Sequence, residues 1–157
     1  MLLVLLLSLA AAEPRFEDYP AEVTPFTGAP ASPILLPGDP WYFRGQIRNG
    51  VAAAAKAKRG PDFAGQYWAL LWGCGSQCVM MAIVDPRTGR VYPPPLAQPG
   101  SLAVQLDILS PMKVEHRPDS RLMILRNGCR NFGDRRTCHV YYFEWTGGGF
   151  RQLSGVL

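Results

Sequence analysis

Two stretches decide the fold: Leu71-Trp72-Gly73-Cys74, three residues, then Cys78-Val79-Met80-Met81-Ala82-Ile83-Val84-Asp85; and Arg126-Asn127-Gly128-Cys129, eight residues, then Cys138-His139-Val140-Tyr141-Tyr142-Phe143-Glu144-Trp145. In each, an apolar run enters a Gly-Cys turn and a second Cys opens the next run. Apolar runs of strand length, rich in β-branched and aromatic residues and bounded by turn residues, read as paired strands. Turns follow both at similar distances: Asp85-Pro86-Arg87-Thr88-Gly89 leads to Val91-Tyr92, and Thr146-Gly147-Gly148-Gly149 leads to Phe150-Arg151-Gln152-Leu153. Strands are also expected over Gln66–Trp72, Leu102–Leu109 and Leu122–Leu125, with Pro118-Asp119-Ser120 as a turn. The chain therefore carries two similar β-meanders, by internal duplication or by the same physics acting twice.

One helix precedes them. Asp39-Pro40 offers an N-cap acceptor followed by Pro at the first helical position. Phe43, Ile47, Val51, Ala54 and Ala55 fall on one face, and Gly60-Pro61 ends the segment. Gly45 and Gly50 weaken its interior by about 1 kcal/mol each relative to Ala, so packing must support it. The fold class expected is α+β and β-rich: an antiparallel meander sheet or small sandwich, one N-terminal packed helix, and disulfide-stapled hairpins.

Upstream, residues 2–12 are uncharged and end in Ala10-Ala11-Ala12, the pattern of a secretory signal cleaved after a small residue. The run is shorter than the roughly 20 apolar residues a membrane span needs. The expected organisation is a signal peptide at 1–12, an extended Pro-rich arm at 13–38 and a single α+β domain at 39–157. Phe16, Tyr19, Phe26 and Leu35 would anchor the arm if it wraps the domain; a disordered leader is the alternative. No transmembrane segment is expected in the mature chain, and a periplasmic or secreted location follows. In that setting Cys74, Cys78, Cys129 and Cys138 read as disulfides. Four cysteines allow three pairings, of which the local ones, Cys74–Cys78 and Cys129–Cys138, suit the hairpins.

The net charge of +4 is unevenly placed: residues 13–39 hold five acids against one Arg, and thirteen of the sixteen basic residues are Arg. Such a surface can hold an anion, but solubility and pairing with the acidic arm explain it, and nucleic acid is not an expected partner. A nucleophilic Cys74 or Cys78 would need a base, and only His116 and His139 exist. The spacing of Cys129, Cys138, His139 and His116 matches no zinc module. Asp85 reads as a turn cap rather than a calcium ligand, and Asp107, Glu115 and Asp119 as surface or turn residues. No metal, cofactor or catalytic residue is assigned. Trp68, Trp72, Tyr141, Tyr142, Phe143 and Trp145 read as core or a cross-strand ladder that could also expose one face as a groove.

The loop Arg130-Asn131-Phe132-Gly133-Asp134-Arg135-Arg136 is the binding candidate, through Arg130, Phe132, Arg135 and Arg136. Cysteines at both ends would reduce its ordering cost, and Arg with an aromatic is a composition enriched at interface hot spots.

The blocks Phe16-Glu17-Asp18-Tyr19-Pro20, Phe43-Arg44-Gly45-Gln46-Ile47-Arg48, Asp62-Phe63-Ala64-Gly65-Gln66-Tyr67, Trp72-Gly73-Cys74-Gly75-Ser76-Gln77-Cys78 and Ile83-Val84-Asp85-Pro86-Arg87-Thr88-Gly89 resemble those of a family of small exported proteobacterial proteins, marked by Gly-Cys-Gly-x-x-Cys. The chain departs from that family near Gly45, where the resemblance implies Thr, and at Gln66, where it implies His. The resemblance implies export and supplies no activity. Together these readings make the chain an exported, non-catalytic binding or inhibitor-type module, expected to be monomeric, whose partner is a protein or an anionic envelope component. An envelope enzyme using Cys74 or a carboxylate, and a structural envelope protein, are the alternatives.

Overall fold

The computed structural model describes residues 12–75, 79–104, 113–126, 130–132, 135–137 and 140–156, with backbone alone for 130–132, 135–137 and 154–156. The fold is α+β and strand-rich. A single helical turn, α1 (Asp39–Tyr42), precedes the main helix α2 (Arg44–Lys56). The strands β1 (Trp68–Gly73), β2 (Val79–Val84) and β3 (Val91–Tyr92) form one antiparallel sheet in that order. The strands β4 (Lys113–His116), β5 (Leu122–Arg126), β8 (Val140–Trp145) and β9 (Phe150–Val156) form a second, ordered β4-β5-β8-β9. Between β5 and β8, β6 (Arg130–Phe132) and β7 (Arg135–Thr137) pair as a separate two-stranded sheet.

The meanders are thus both present, β1-β2-β3 and β5-β8-β9. In β2 every residue from Met80 to Val84 is buried, and in β5 every residue from Leu122 to Leu125. Neither strand alternates, because each is covered on both faces. Met80, Ala82 and Val84 of β2 pack with Trp68 and Leu70 of β1 against Ile47, Val51 and Ala54 of α2. On the other face Met81, Ile83 and Ala69 meet Met123 and Leu125 of β5 and Phe143 and Trp145 of β8, so the two sheets form a sandwich. Leu122, Ile124 and Tyr142 occupy the outer face of the second sheet, where Phe16 and Tyr19 of the N-terminal arm pack over them.

The arm is fixed by backbone hydrogen bonds as well as by its anchors. Arg121 N–H donates to Tyr19 O at 2.8 Å, Thr24 N–H to Gly65 O at 2.9 Å, Ala31 N–H to Pro86 O at 2.8 Å and Ile34 N–H to Gly89 O at 2.7 Å. The buried Ser120 hydroxyl bonds Phe16 O at 2.8 Å. Farther along, Phe26 lies edge-on to Trp68 with ring centroids 5.7 Å apart, and Leu35 joins the helix-side core.

The helix differs from expectation at both ends. The N-cap is Gly38, and Asp39 instead turns its carboxylate to the Leu102 N–H at 2.8 Å and the Ser101 hydroxyl at 2.9 Å, tying the helix start to the strand-like residues that follow β3. Phe43, at φ −92° and ψ 23°, separates α1 from α2. The helix then stops before Gly60. Arg59 N–H bonds Ala54 O at 2.9 Å and Lys58 N–H bonds Ala55 O at 3.0 Å, a Schellman closure with Lys58 at φ 50° where glycine is usual. Gly50 packs closely on β1: a Cβ there would lie 3.0 Å from Leu70 Cδ1, so that methyl would have to shift by a few tenths of an ångström. Gly45 has open space around it.

Other strand boundaries differ from expectation by up to three residues, β9 running on to Val156. Strand β4 was not anticipated, since Lys113-Val114-Glu115-His116 carries little apolar signal. Of Leu102–Leu109, residues 105–109 lie outside the described residues. Residues 102–104 pair with β2, Met81 N–H donating to Leu102 O at 3.0 Å.

Two glycines seat the arm. Gly65 (φ +83°) and Gly89 (φ +74°) would each place a Cβ against an arm carbonyl, 2.2 Å from Glu22 O and 2.1 Å from Ser32 O. Ala at φ > 0 alone costs about 1–2 kcal/mol, and the backbone contact adds to it. Gly65→Ala and Gly89→Ala are therefore expected to lower unfolding free energy by more than ~1 kcal/mol each in urea titrations and to open residues 20–34 to limited proteolysis. Gly45→Ala, by contrast, is expected to raise stability by about 0.5–1 kcal/mol, and Lys58→Gly to raise it by relieving the left-handed backbone.

Candidate functional site

The residues proposed for binding sit between β5 and β8. The segment expected to be a loop is a hairpin in its described backbone: Arg130 pairs with Thr137, Asn131 with Arg136 and Phe132 with Arg135. The register makes Phe132 and Arg135 directly opposed positions and leaves Arg130 and Arg136 on neighbouring rungs. The missed signal is Gly133-Asp134, a two-residue combination suited to a tight hairpin connection. Those two residues, and Asn127, Gly128, Cys129, Cys138 and His139, lie outside the described residues.

Cys74 is exposed just beyond the end of β1, and Cys78 lies outside the described residues. Asp107 is likewise outside them. Asp85, 5% exposed, opens the β2–β3 turn: its carboxylate accepts from Arg87 N–H at 2.9 Å and from the Thr88 hydroxyl at 2.9 Å. That is the Asx-type cap read from the sequence. Asp119 takes a bidentate pair of bonds from Arg117 at 2.9 and 2.7 Å, and Arg117 also reaches Glu17 on the arm at 2.7 Å. Burial works against ionised Glu115, yet Lys113 at 3.0 Å and Arg126 at 3.0 Å hold its carboxyl below the usual range. These carboxylates serve the fold, as ion pairs or turn caps.

The aromatics divide by face. Trp68 is fully buried and donates its indole N–H to Gly60 O at 3.1 Å. Tyr142 packs on the outer face and donates to Glu13 at 3.1 Å. Trp145 centres a cluster between the sheets, with ring centroids 5.0 Å from Tyr67, 5.2 Å from Tyr92, 5.9 Å from Phe63 and 5.0 Å from Phe150. Where this cluster approaches the surface, an open cavity of about 400 Å³ lies between the arm, the Phe63–Tyr67 turn and the end of β8. Sequence reading anticipated a possible aromatic groove. It did not find Gln66, Glu22 or Arg121 as its walls, because these residues are far apart in the chain and meet only when the arm docks.

Glu144, 6% exposed on β8, is bracketed by Arg121 at 2.8 Å and by Arg151. A buried carboxylate requires such pairing. His116 of β4 bonds Asp62 O through Nδ1 at 2.9 Å and lies edge-on to Phe63. A carbonyl only accepts, so Nδ1 carries a proton in this bond. Burial first, and the positive charge of Arg59 second, hold the His116 pKa below its usual value.

Because the unfolded chain takes up the His116 proton more readily, stability is unaffected by this group above its ordinary pKa of about 6.5 and declines as pH falls below it. Unfolding free energy measured from pH 7.5 to 5.5 is expected to fall toward the acid side. His116→Asn, which can keep the donor to Asp62, is expected to flatten that slope; an unchanged slope would assign it to other groups.

No family model matches the chain, and neither a curated protein nor a solved structure shows significant similarity to it.

Proposed function

We propose that the chain is an exported, non-catalytic binding module of the bacterial envelope, periplasmic or secreted, that makes its contact through the β6–β7 hairpin. One observation carries this reading: the segment between Cys129 and Cys138 pairs as its own two-stranded sheet, separate from the two sheets that form the core. A hairpin places Phe132 opposite Arg135 and sets Arg130 and Arg136 on adjacent rungs. Its composition, Arg130, Phe132, Arg135 and Arg136, suits an acidic protein surface or an anionic envelope polymer, since Arg forms paired hydrogen bonds to carboxylate and phosphate.

The cysteines support the same reading as staples. The local pairs Cys74–Cys78 and Cys129–Cys138 would each close a short loop between consecutive strands, and closing such a loop stabilises a hairpin by restricting the unfolded chain. The uncharged run ending at Ala12 and the resemblance to exported proteins support the location.

Replacing Arg130, Phe132, Arg135 and Arg136 together by Ala is expected to leave the thermal unfolding midpoint within a few degrees of the parent. It should abolish recovery of the partner from an envelope extract, whereas unchanged recovery would refute the hairpin as the contact. A nonreducing peptide map is expected to yield the two local pairs and a mature N-terminus at Glu13. Ready alkylation of Cys74 in the native protein would instead favour a thiol enzyme.

A further inference from the structure

Strand β1 lies at the edge of its sheet and pairs with β2 alone among the described strands. In an antiparallel pair, alternate residues turn their backbone N–H and C=O groups away from the partner strand. On β2 these are Val79 and Met81, since Val104 N–H donates to Val79 O at 3.1 Å and Met81 N–H to Leu102 O at 3.0 Å. Their register partners on β1, Gly73 and Leu71, turn their backbone groups outward as well, and so does Ala69. Ala69 is covered: its N–H donates to Asp62 Oδ1 at 2.9 Å and its carbonyl accepts from the Arg59 guanidinium at 3.2 Å. Leu71 and Gly73 are exposed and have no such cover among the described residues.

Sheet edges are usually protected by charge, proline, a bulge or a covering segment. The edge strand β4 of the other sheet carries Lys113, Glu115 and His116. Residues 70–73 hold neither charge nor proline, and their register with β2 is unbroken. Beside them an open groove of about 290 Å³ runs between β1 and α2. Its helical wall is Gln46, Gly50, Ala53 and Ala57, and three of these four side chains are no larger than a methyl group. A strand laid along β1 would find backbone partners at Leu71 and Gly73 and room for a side chain beneath α2. Alternating N–H and C=O groups are what a peptide main chain supplies, and pockets for alternate side chains give such docking its selectivity.

Charge decides which peptide. Residues 44–59 hold five cations and no acid. Arg59 pairs with Asp62, and the other four form no ion pair among the described residues. Two copies of this chain joined antiparallel at β1, about a two-fold axis, would carry both α2 helices on one face of the joined sheet. Cations would then stand beside cations, which disfavours that pairing. An acidic strand meets the opposite field.

We infer that the edge of β1 at Leu71 and Gly73 is a docking site for an acidic, extended peptide segment, which adds to the sheet as a further strand with a side chain in the groove beneath α2. The site is separate from the hairpin contact.

The test is amide hydrogen exchange and ¹⁵N-edited NMR on the full mature chain, with the capped peptide acetyl-Glu-Val-Thr-Val-Glu-amide as probe. In the free chain the Leu71 and Gly73 amides are expected to exchange about a hundredfold faster than those of Leu70 and Trp72, which face β2. The peptide should slow Leu71 and Gly73 exchange saturably and shift the Ala53 and Ala57 amide resonances. Lysine in place of both glutamates should weaken it about tenfold at low salt. Methylating one alternate set of peptide amides should cost about tenfold, the loss of a hydrogen bond, while methylating the other set, which faces solvent, should not. Ala53→Leu, at an exposed helix position, should fill the groove and weaken the peptide while the melting temperature stays unchanged. Slow exchange of Leu71 and Gly73 in the free chain at every concentration would overturn the inference, because the edge would already be covered. Protection that grows with protein concentration alone would assign the edge to a second copy. Absence of any peptide effect, equal binding of the acidic and basic peptides, or indifference to both methylated sets would overturn it too.

Discussion

Two strands of this protein are apolar on both faces, and nearly everything else in the fold answers that fact. A sheet needs cover wherever its face is apolar, and a two-sheet sandwich covers only the inner faces. The outer side of β2 carries Met80, Ala82 and Val84, which α2 covers with Ile47, Val51 and Ala54. The outer side of β5 carries Leu122 and Ile124, and no helix among the described residues covers it. The N-terminal arm takes that place with Phe16 and Tyr19. Burying an aromatic or large aliphatic side chain contributes about 1.5–3 kcal/mol, so a few anchors can hold an otherwise irregular segment. The arm is thus the fourth layer of the structure in energetic terms, although it forms no extended strand.

An irregular layer must still satisfy its backbone polar groups, and that requirement explains the glycines. The arm passes close to the turns at Gly65 and Gly89, where its N–H groups at Thr24 and Ile34 find carbonyl acceptors. Both approaches depend on the missing Cβ and on a positive φ. Asp39 does comparable work where the arm becomes helix, by joining α1 to Ser101 and Leu102 rather than capping its own helix. The ion pairs of Arg117 with Glu17 and Asp119 lie over the same junction but are exposed, and exposed pairs contribute little. Backbone bonds and buried aromatics hold the arm; the charges decorate it.

The pattern of the chain made the sandwich readable and hid its seams. Unbroken runs such as Met80–Val84 signalled strands, and the repeated Gly-Cys turn signalled the two meanders; the cover on both faces of β2 shows only in the packing. The α2 face was legible because Ile47, Val51 and Ala54 keep helical spacing. What could not be read depended on contacts between distant segments. Asp39 looks like an N-cap until Ser101 and Leu102 approach it. Gly50 looks like a weak point until Leu70 packs against it. Lys113–His116 shows no strand signal because it is an edge strand whose Glu115 and His116 are matched by Arg126 and Asp62 from elsewhere. The hairpin at 130–137 was masked by its charge, since a basic run with an aromatic reads as solvated loop until its rungs are paired. The cavity was the least legible feature, because its walls come from the arm, a turn before β1 and the end of β8.

The strand β8 also sets how far the proposed hairpin contact is from the core. Its Val140 end is the one nearer in sequence to the β6–β7 hairpin, and its Trp145 end lies in the aromatic cluster between the sheets. At a rise of about 3.4 Å per residue, the two ends are on the order of 17 Å apart, beyond the distance at which substitutions usually interact energetically. The aromatic packing that joins the sheets therefore does not depend on the hairpin, and a contact made there would leave the doubly covered strands β2 and β5 as they are.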